Sequence, residues 1–158
     1  MDRSELTVMV RTLLWEQLFG VLATQGSSGL HTSIVSFAAA DDLHAIVFAT
    51  PRATRKYRNL AESGSVSFFV DDRENDASSI GEIHGMEARG VARELSGDER
   101  GRYESLYAAR HPQLAEFARN SALMCIDVER YDIVHRFQDV YVLEMEGPRP
   151  VDSRERNG

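Results

Sequence analysis

Cysteine is almost missing from this chain. Cys125 stands alone in 158 residues, which excludes an intrachain disulfide framework and any cysteine-clustered zinc or iron–sulfur centre. Lysine is as scarce: Lys56 is the one lysine among eighteen basic residues. Twenty-five acidic residues outweigh them and leave a net charge of −7, so the surface as a whole is not built for DNA, RNA or an anionic membrane. No apolar run approaches the ~20 residues a bilayer span needs. The start is charged at Asp2, Arg3 and Glu5 and shows no signal-peptide core. These absences read as a cytoplasmic protein. P-loop, dinucleotide-fingerprint and nucleophile-elbow patterns are missing too. His31, His44, His84, His111 and His135 show no metal-ligand spacing, so no metal site is read.

What is present is ordinary for one globular domain: 42% hydrophobic and 27% charged residues, in a chain long enough to bury a core without staples. Residues 4–18 predict a helix, with Leu6, Met9, Val10, Leu13, Leu14 and Leu18 on one face and Ser4 as its cap. Short strands follow at Phe19–Gln25, His31–Ala38 and Leu43–Ala49, separated by turns at 26–29 and 41–42. They read as an antiparallel meander. A helix is expected over Thr50–Ser63, capped by Thr50 or Thr54, and a strand at Ser65–Val70. Ile80–Leu95 reads as a long strand bent at its glycines. Ser96 and Glu99 have capping-box spacing before a helix that carries Tyr103 and Tyr107. Strands at Leu123–Val134 and Phe137–Met145 complete the count. Cys125 falls among apolar strand residues and reads as core, and Trp15, Tyr103 and Tyr107 as packing or interface residues. Residues 1–146 are expected to form one domain and residues 147–158 a disordered tail. The fold class is mainly β (α+β): a six- to seven-stranded antiparallel split or closed barrel with peripheral helices.

One segment stands out chemically. Residues 50–58 read Thr-Pro-Arg-Ala-Thr-Arg-Lys-Tyr-Arg, with Arg52, Arg55, Lys56 and Arg58 and no acid among them. In an acidic protein this is a local positive site at a helix start, where free N–H groups and the helix dipole add to the charge. Arg55, Lys56 and the hydroxyls of Thr50 and Thr54 together suit a phosphate.

At this point the chain resembles the pyridoxamine 5′-phosphate oxidase-like FMN-binding split-barrel superfamily. The residues that carry the resemblance are Val21–Thr24, His31–Phe37, Ile46–Thr50, Thr54–Leu60, Val66–Phe69 and Gly90–Leu95, covering roughly residues 15–145. The resemblance implies FMN as cofactor. It places Thr50, Thr54, Arg55 and Lys56 on the phosphate, and Ser33, Ile34, Val35 and Ser36 along the ring and ribityl chain. The oxidase's arginine and lysine on that strand are replaced here by Ser33 and Ala38, and its glutamine is replaced near Gly85. Its tryptophan-containing, arginine-rich end has no counterpart. These departures imply a chemistry other than pyridoxamine phosphate oxidation.

His31, at the start of the flavin-facing strand, and His84, beside the expected ring position, could each serve as proton donors. The resemblance also implies a homodimer with flavin at the subunit interface and a small-molecule substrate. Arg136 and Gln138 of the second chain then come near the flavin. The alternating Phe68, Phe69, Tyr141 and Leu143 independently offer two apolar faces, one more than a single core uses. The expected activity is an oxidoreductase passing hydride or electrons from a donor such as NAD(P)H, with no essential catalytic side chain named. A deazaflavin or haem in the same groove, and a non-enzymatic flavin-binding or redox-sensing domain, are the alternatives.

Overall fold

A tight turn at Ser27–Ser28 folds β1 (Phe19–Gly26) back on β2 (Gly29–Ser36) in register from Phe19↔Ser36 to Gly26↔Gly29. Gly29 takes a φ of 102° there, a conformation that glycine adopts without strain. This computed structural model describes residues 1–136 and 138–146; the expected tail and Phe137 lie outside the described residues. The other elements are α1 (Arg3–Glu16), β3 (Ala38–Ala39), β4 (Ala45–Thr50), α2 (Arg55–Glu62), β5 (Ser65–Asp71), β6 (Gly85–Glu94), α3 (Gly97–Arg110), α4 (Ala115–Arg119), β7 (Ala122–His135) and β8 (Asp139–Glu144).

All eight strands join one antiparallel sheet in the order β2-β1-β5-β6-β7-β4-β3, with β8 also on β7. The two ends of that row, β2 and β3, are joined through Phe37 alone. The sheet therefore curls on itself into the expected split barrel. Long β7 serves as a shared wall. Residues 122–127 pair with β4 and residues 130–135 with β8, while β6 runs along the other side. A bulge between Arg89 and Gly90 leaves Glu129 unmatched and bends β6 around the barrel.

The barrel interior holds Leu22, Phe37, Phe48, Phe68, Met86, Ile126, Tyr131 and Ile133, and the apolar stripe Leu6, Val10, Leu13 and Leu14 of α1 joins the same core. Each fully buried large side chain contributes about 1.5–3 kcal/mol. On the other side of β4 and the first half of β7, Tyr103, Tyr107 and Ala118 of α3 and α4 pack on Val47, Leu123 and Cys125. Cys125 is core, as its neighbours in the sequence indicate. Among the described residues no helix lies on the remaining outer face of the sheet, and Ile34, Phe69, Val140 and Val142 are exposed there.

Several local expectations shift. Asp2, not Ser4, caps α1, because Asp2 accepts from Glu5 N–H and Glu5 returns the bond to Asp2 N–H. Trp15 lies on the exposed side of α1, under the guanidinium of Arg110. The expected antiparallel meander is interrupted at Phe37: the expected second strand ends as β2, its last residue Ala38 pairs with Val47 of β4 as part of β3, and the main ladder of β4 is with β7. Residues 77–82 form a 3-10 helix where the long strand was expected to begin. Ser96 makes no side-chain capping bond, and the Glu99 carboxylate, the other half of the expected box, is held by Arg93 at 2.6 Å. Of the four alternating side chains, Phe68 and Leu143 are buried, Tyr141 packs against the same core, and Phe69 points out. The second face is completed by Val140 and Val142.

Candidate functional site

β4 ends at Thr50, whose side chain is fully buried, and the chain turns through Pro51–Ala53 into α2. Thr54 is the helix cap: its hydroxyl accepts the Tyr57 N–H at 3.3 Å and donates to Pro51 O at 2.9 Å. The Thr50 and Thr54 hydroxyls stand 2.9 Å apart. Two hydroxyls and the first turn of a helix thus meet at one point. Among the described residues neither Arg55 nor Lys56 makes an ion pair, so both cations remain available there.

Arg52 behaves differently. It pairs with Glu94, at the end of β6, at 2.8 Å, and the Tyr57 hydroxyl donates to the same carboxylate at 2.7 Å. The Tyr57 bond first, then Arg52, holds the Glu94 carboxyl below its ordinary range, and Glu94 raises the Tyr57 hydroxyl. Glu94 was not singled out by the sequence, where it lies some forty residues from its partners; only its place after a glycine-bulged strand could have pointed to it.

The predicted ring strand lies beside this point. Extending the Ala38↔Val47 register back along the chain sets Val35 opposite Thr50. β2 and β4 touch there, yet β2 makes its ladder with β1 only. β2 and β4 thus come close without a ladder between them, and the edge of β2 over Ser33–Ser36 lies beside Thr50 at the approach to α2. On this strand the Ser33 hydroxyl is buried with no hydrogen-bond partner among the described residues, a condition that costs about 1–3 kcal/mol unless something accepts or donates there. Ile34 faces outward and Val35 inward. His31 sits opposite Thr24, whose hydroxyl accepts from Asn59 of α2 at 3.1 Å, so His31 belongs to the same end of the barrel.

His84, Arg136 and Gln138 do not. His84 immediately precedes β6, and Glu94 ends that ten-residue strand, which at ~3.3 Å per residue is roughly 30 Å of strand. At the far end His84 forms a cluster with two residues that no sequence pattern groups with it. Asp72 bonds its Nδ1 at 2.7 Å, and His135 stacks on its ring at a centroid distance of 4.8 Å. Burial, then the neighbouring His84 and Arg136, lowers the pKa of His135.

The sequence matches the pyridoxamine 5′-phosphate oxidase family over residues 6–135. The chain belongs to that family. No curated protein sequence matches it. Among solved structures, a heme-binding protein from Mycobacterium smegmatis superimposes with a TM-score of 0.77 at 18% identity, over 91% of this chain and 58% of that one. HutZ from Vibrio cholerae, a heme storage protein, gives 0.66 at 16% identity, over 85% of this chain and 92% of that one. A pyridoxinephosphate oxidase-family protein from Clostridium acetobutylicum gives 0.67 at 12% identity, over 92% and 97%. The chain spans less than two thirds of the length of the Mycobacterium protein. The family and these likenesses agree on the split barrel. Among the described residues no helix is long and apolar enough to cross a membrane.

Proposed function

We propose that this member of the family binds FMN in a cleft between Ser33–Ser36 and Thr50–Lys56 and works as a flavin-dependent oxidoreductase on a small molecule. The observation that carries the reading is the pairing of two free cations, Arg55 and Lys56, with two hydroxyls at a helix start. A phosphate there would gain charge-assisted bonds at the positive end of α2. The partnerless Ser33 hydroxyl, across the cleft, supplies a polar contact for the rest of the cofactor. When bound, FMN supplies the hydride and electron chemistry; the chain holds the phosphate, orients the ring against β2 and limits water. Binding of FMN and riboflavin by the purified protein tests this. FMN is expected to bind tens-fold or more tightly, since one charge-assisted bond is worth ~1.5–3 kcal/mol. Equal dissociation constants would remove the phosphate site from the argument.

The working unit in this reading is a homodimer. Cross-strand neighbours on the bare face run Ile34, Val21, Phe69, Glu87, Asp132 and Val142, apolar at both ends with an acidic middle. Beside the acids Arg89 reaches Glu87 at 3.1 Å and Asp132 at 3.4 Å. Such a strip of both signs flanked by exposed apolar side chains can meet a second copy of itself. Arg136 and Gln138, a strand length from Lys56 on their own chain, can reach the cleft only on the other copy. Val140→Lys with Val142→Lys is expected to give a folded monomer in light scattering across a dilution series, with weaker FMN retention. A double variant that stays dimeric and keeps its flavin would place the interface elsewhere.

A second reading, an iron tetrapyrrole as ligand, is favoured by the Asp72–His84 pair and by the heme-binding proteins among the structural neighbours.

A further inference from the structure

The barrel splits at one point of the chain. The β3–β4 ladder begins at Ala38↔Val47, and the Ala40 N–H continues it at the other end with a bond to Ala45 O at 2.9 Å. One more rung in that register would bring Ser36 to Ala49, yet β2 makes its ladder with β1 alone. The backbone at the break is held by other partners. Phe37 donates its N–H to Leu18 O at 3.3 Å, and its carbonyl is met by His111 Nε2 at 2.7 Å. A carbonyl only accepts, so the His111 ring carries a proton on Nε2. Among the described residues no other donor reaches Phe37 O.

His111 follows the last residue of α3 and is 1% exposed. Its N–H closes on Tyr107 O at 2.8 Å, and its ring lies 5.0 Å from that of Tyr107. Burial raises the pKa of the Tyr107 hydroxyl, and a hydrogen bond with the Ser36 side chain opposes that rise. One helical turn thus holds both residues at the break, Ser36 by its side chain and Phe37 by its carbonyl. α3 itself is fastened to the opposite side of the split. Tyr103 and Tyr107 pack on Val47, Leu123 and Cys125, and Arg100 donates to Ala118 O and Ser121 O, each at 3.0 Å. From that wall β4 leads to Thr50 and on to α2. α3 is therefore a spacer between Ser33–Ser36 and Thr50–Lys56.

We propose that Tyr107 and His111 are positioning residues, which hold β2 off β4 so that one FMN can engage the phosphate residues and the ring strand together. This rests on the FMN reading above. A ligand that bridges two half-sites gains from the second only while their spacing fits. His111→Leu is expected to weaken FMN binding about 3–10-fold, the scale of one hydrogen bond, and riboflavin binding by less than about twofold. His111→Gln keeps an N–H donor and should restore most of the FMN preference. In the flavin-free chain, hydrogen exchange at residues 33–36 should quicken in His111→Leu while that of β5 stays unchanged. Tyr107→Phe removes a single oxygen and decides the matter by the same readouts if circular dichroism shows His111→Leu unfolded. Folded variants that keep the FMN preference and the exchange rates of the wild type overturn the positioning role, as do variants that lose FMN and riboflavin by the same factor; both results leave the FMN reading standing. A wild-type chain that binds FMN no better than riboflavin overturns both.

Discussion

Replacing Arg55 and Lys56 together with alanine is expected to abolish FMN retention while leaving riboflavin binding and the fold unchanged. Both side chains sit at the start of α2, outside either core, and neither is tied to a protein carboxylate among the described residues. Two charge-assisted phosphate bonds at ~1.5–3 kcal/mol each correspond to about 10²–10⁴-fold in affinity. The neighbour Arg52 is a built-in control. Its guanidinium is engaged by Glu94 at 2.8 Å, so Arg52→Ala should cost far less. Equilibrium titration by flavin fluorescence, with circular dichroism alongside, reads all three proteins. A double variant that still holds stoichiometric FMN would return the basic run to the status of a solvated helix face.

The largest effect on stability is expected at Gly90. A Cβ there would lie 2.1 Å from Asp127 O and 2.9 Å from its carbonyl carbon. The obstacle is the backbone of β7, which is held on its other side by β4 and cannot give way as a side-chain tip could. Gly90→Val should therefore fall at or beyond the upper end of overpacking costs, about 3 kcal/mol, lowering Tm by about 6–12 °C. Gly101, whose Cβ would meet nothing within 4 Å, gives the matched control: Gly101→Ala should be neutral or slightly stabilising, as expected for an open helix position. A thermal melt that ranks the two the other way would mean that the bulge does not set the bend of β6.

The parts of the fold that were legible from sequence are the locally encoded ones. Alternation in Val21–Thr24 and Met124–Val128, the stripe on α1 and the glycine turn at 26–29 each speak within a few residues. The phosphate side of the proposed site was legible for the same reason: Thr50, Thr54, Arg55 and Lys56 fall within one turn and its approach. Competition among local signals explains the cap errors. Ser4 and Asp2 are both good caps, and the reciprocal bond to Glu5 decides for Asp2. Ser96 has the right spacing to Glu99, but Arg93 holds that carboxylate with two of its nitrogens, which outweighs a neutral backbone bond. Pairings between distant segments were not legible. Nothing near Ala45–Thr50 announces Ala122–Asp127 as its neighbour rather than β2. The Asp72–His84–His135 cluster joins a loop closure to the end of a strand some fifty residues on, so it exists only once β6 lies between β5 and β7.

The shared wall β7 also has a consequence for synthesis of the chain. β1, β2, β5 and β6 can pair with one another as they leave the ribosome, since their contacts need nothing beyond residue 94. β4 has no such liberty. Its ladder partner, apart from two-residue β3, is residues 122–127. At about 5–20 residues per second, Ile46, Val47 and Phe48 wait several seconds with one edge covered only by two-residue β3 and the other edge open, before residues 122–127 emerge. The segment between them, with its polar α3, is thus also a delay, and the nascent chain is most exposed to aggregation while α3 is being made.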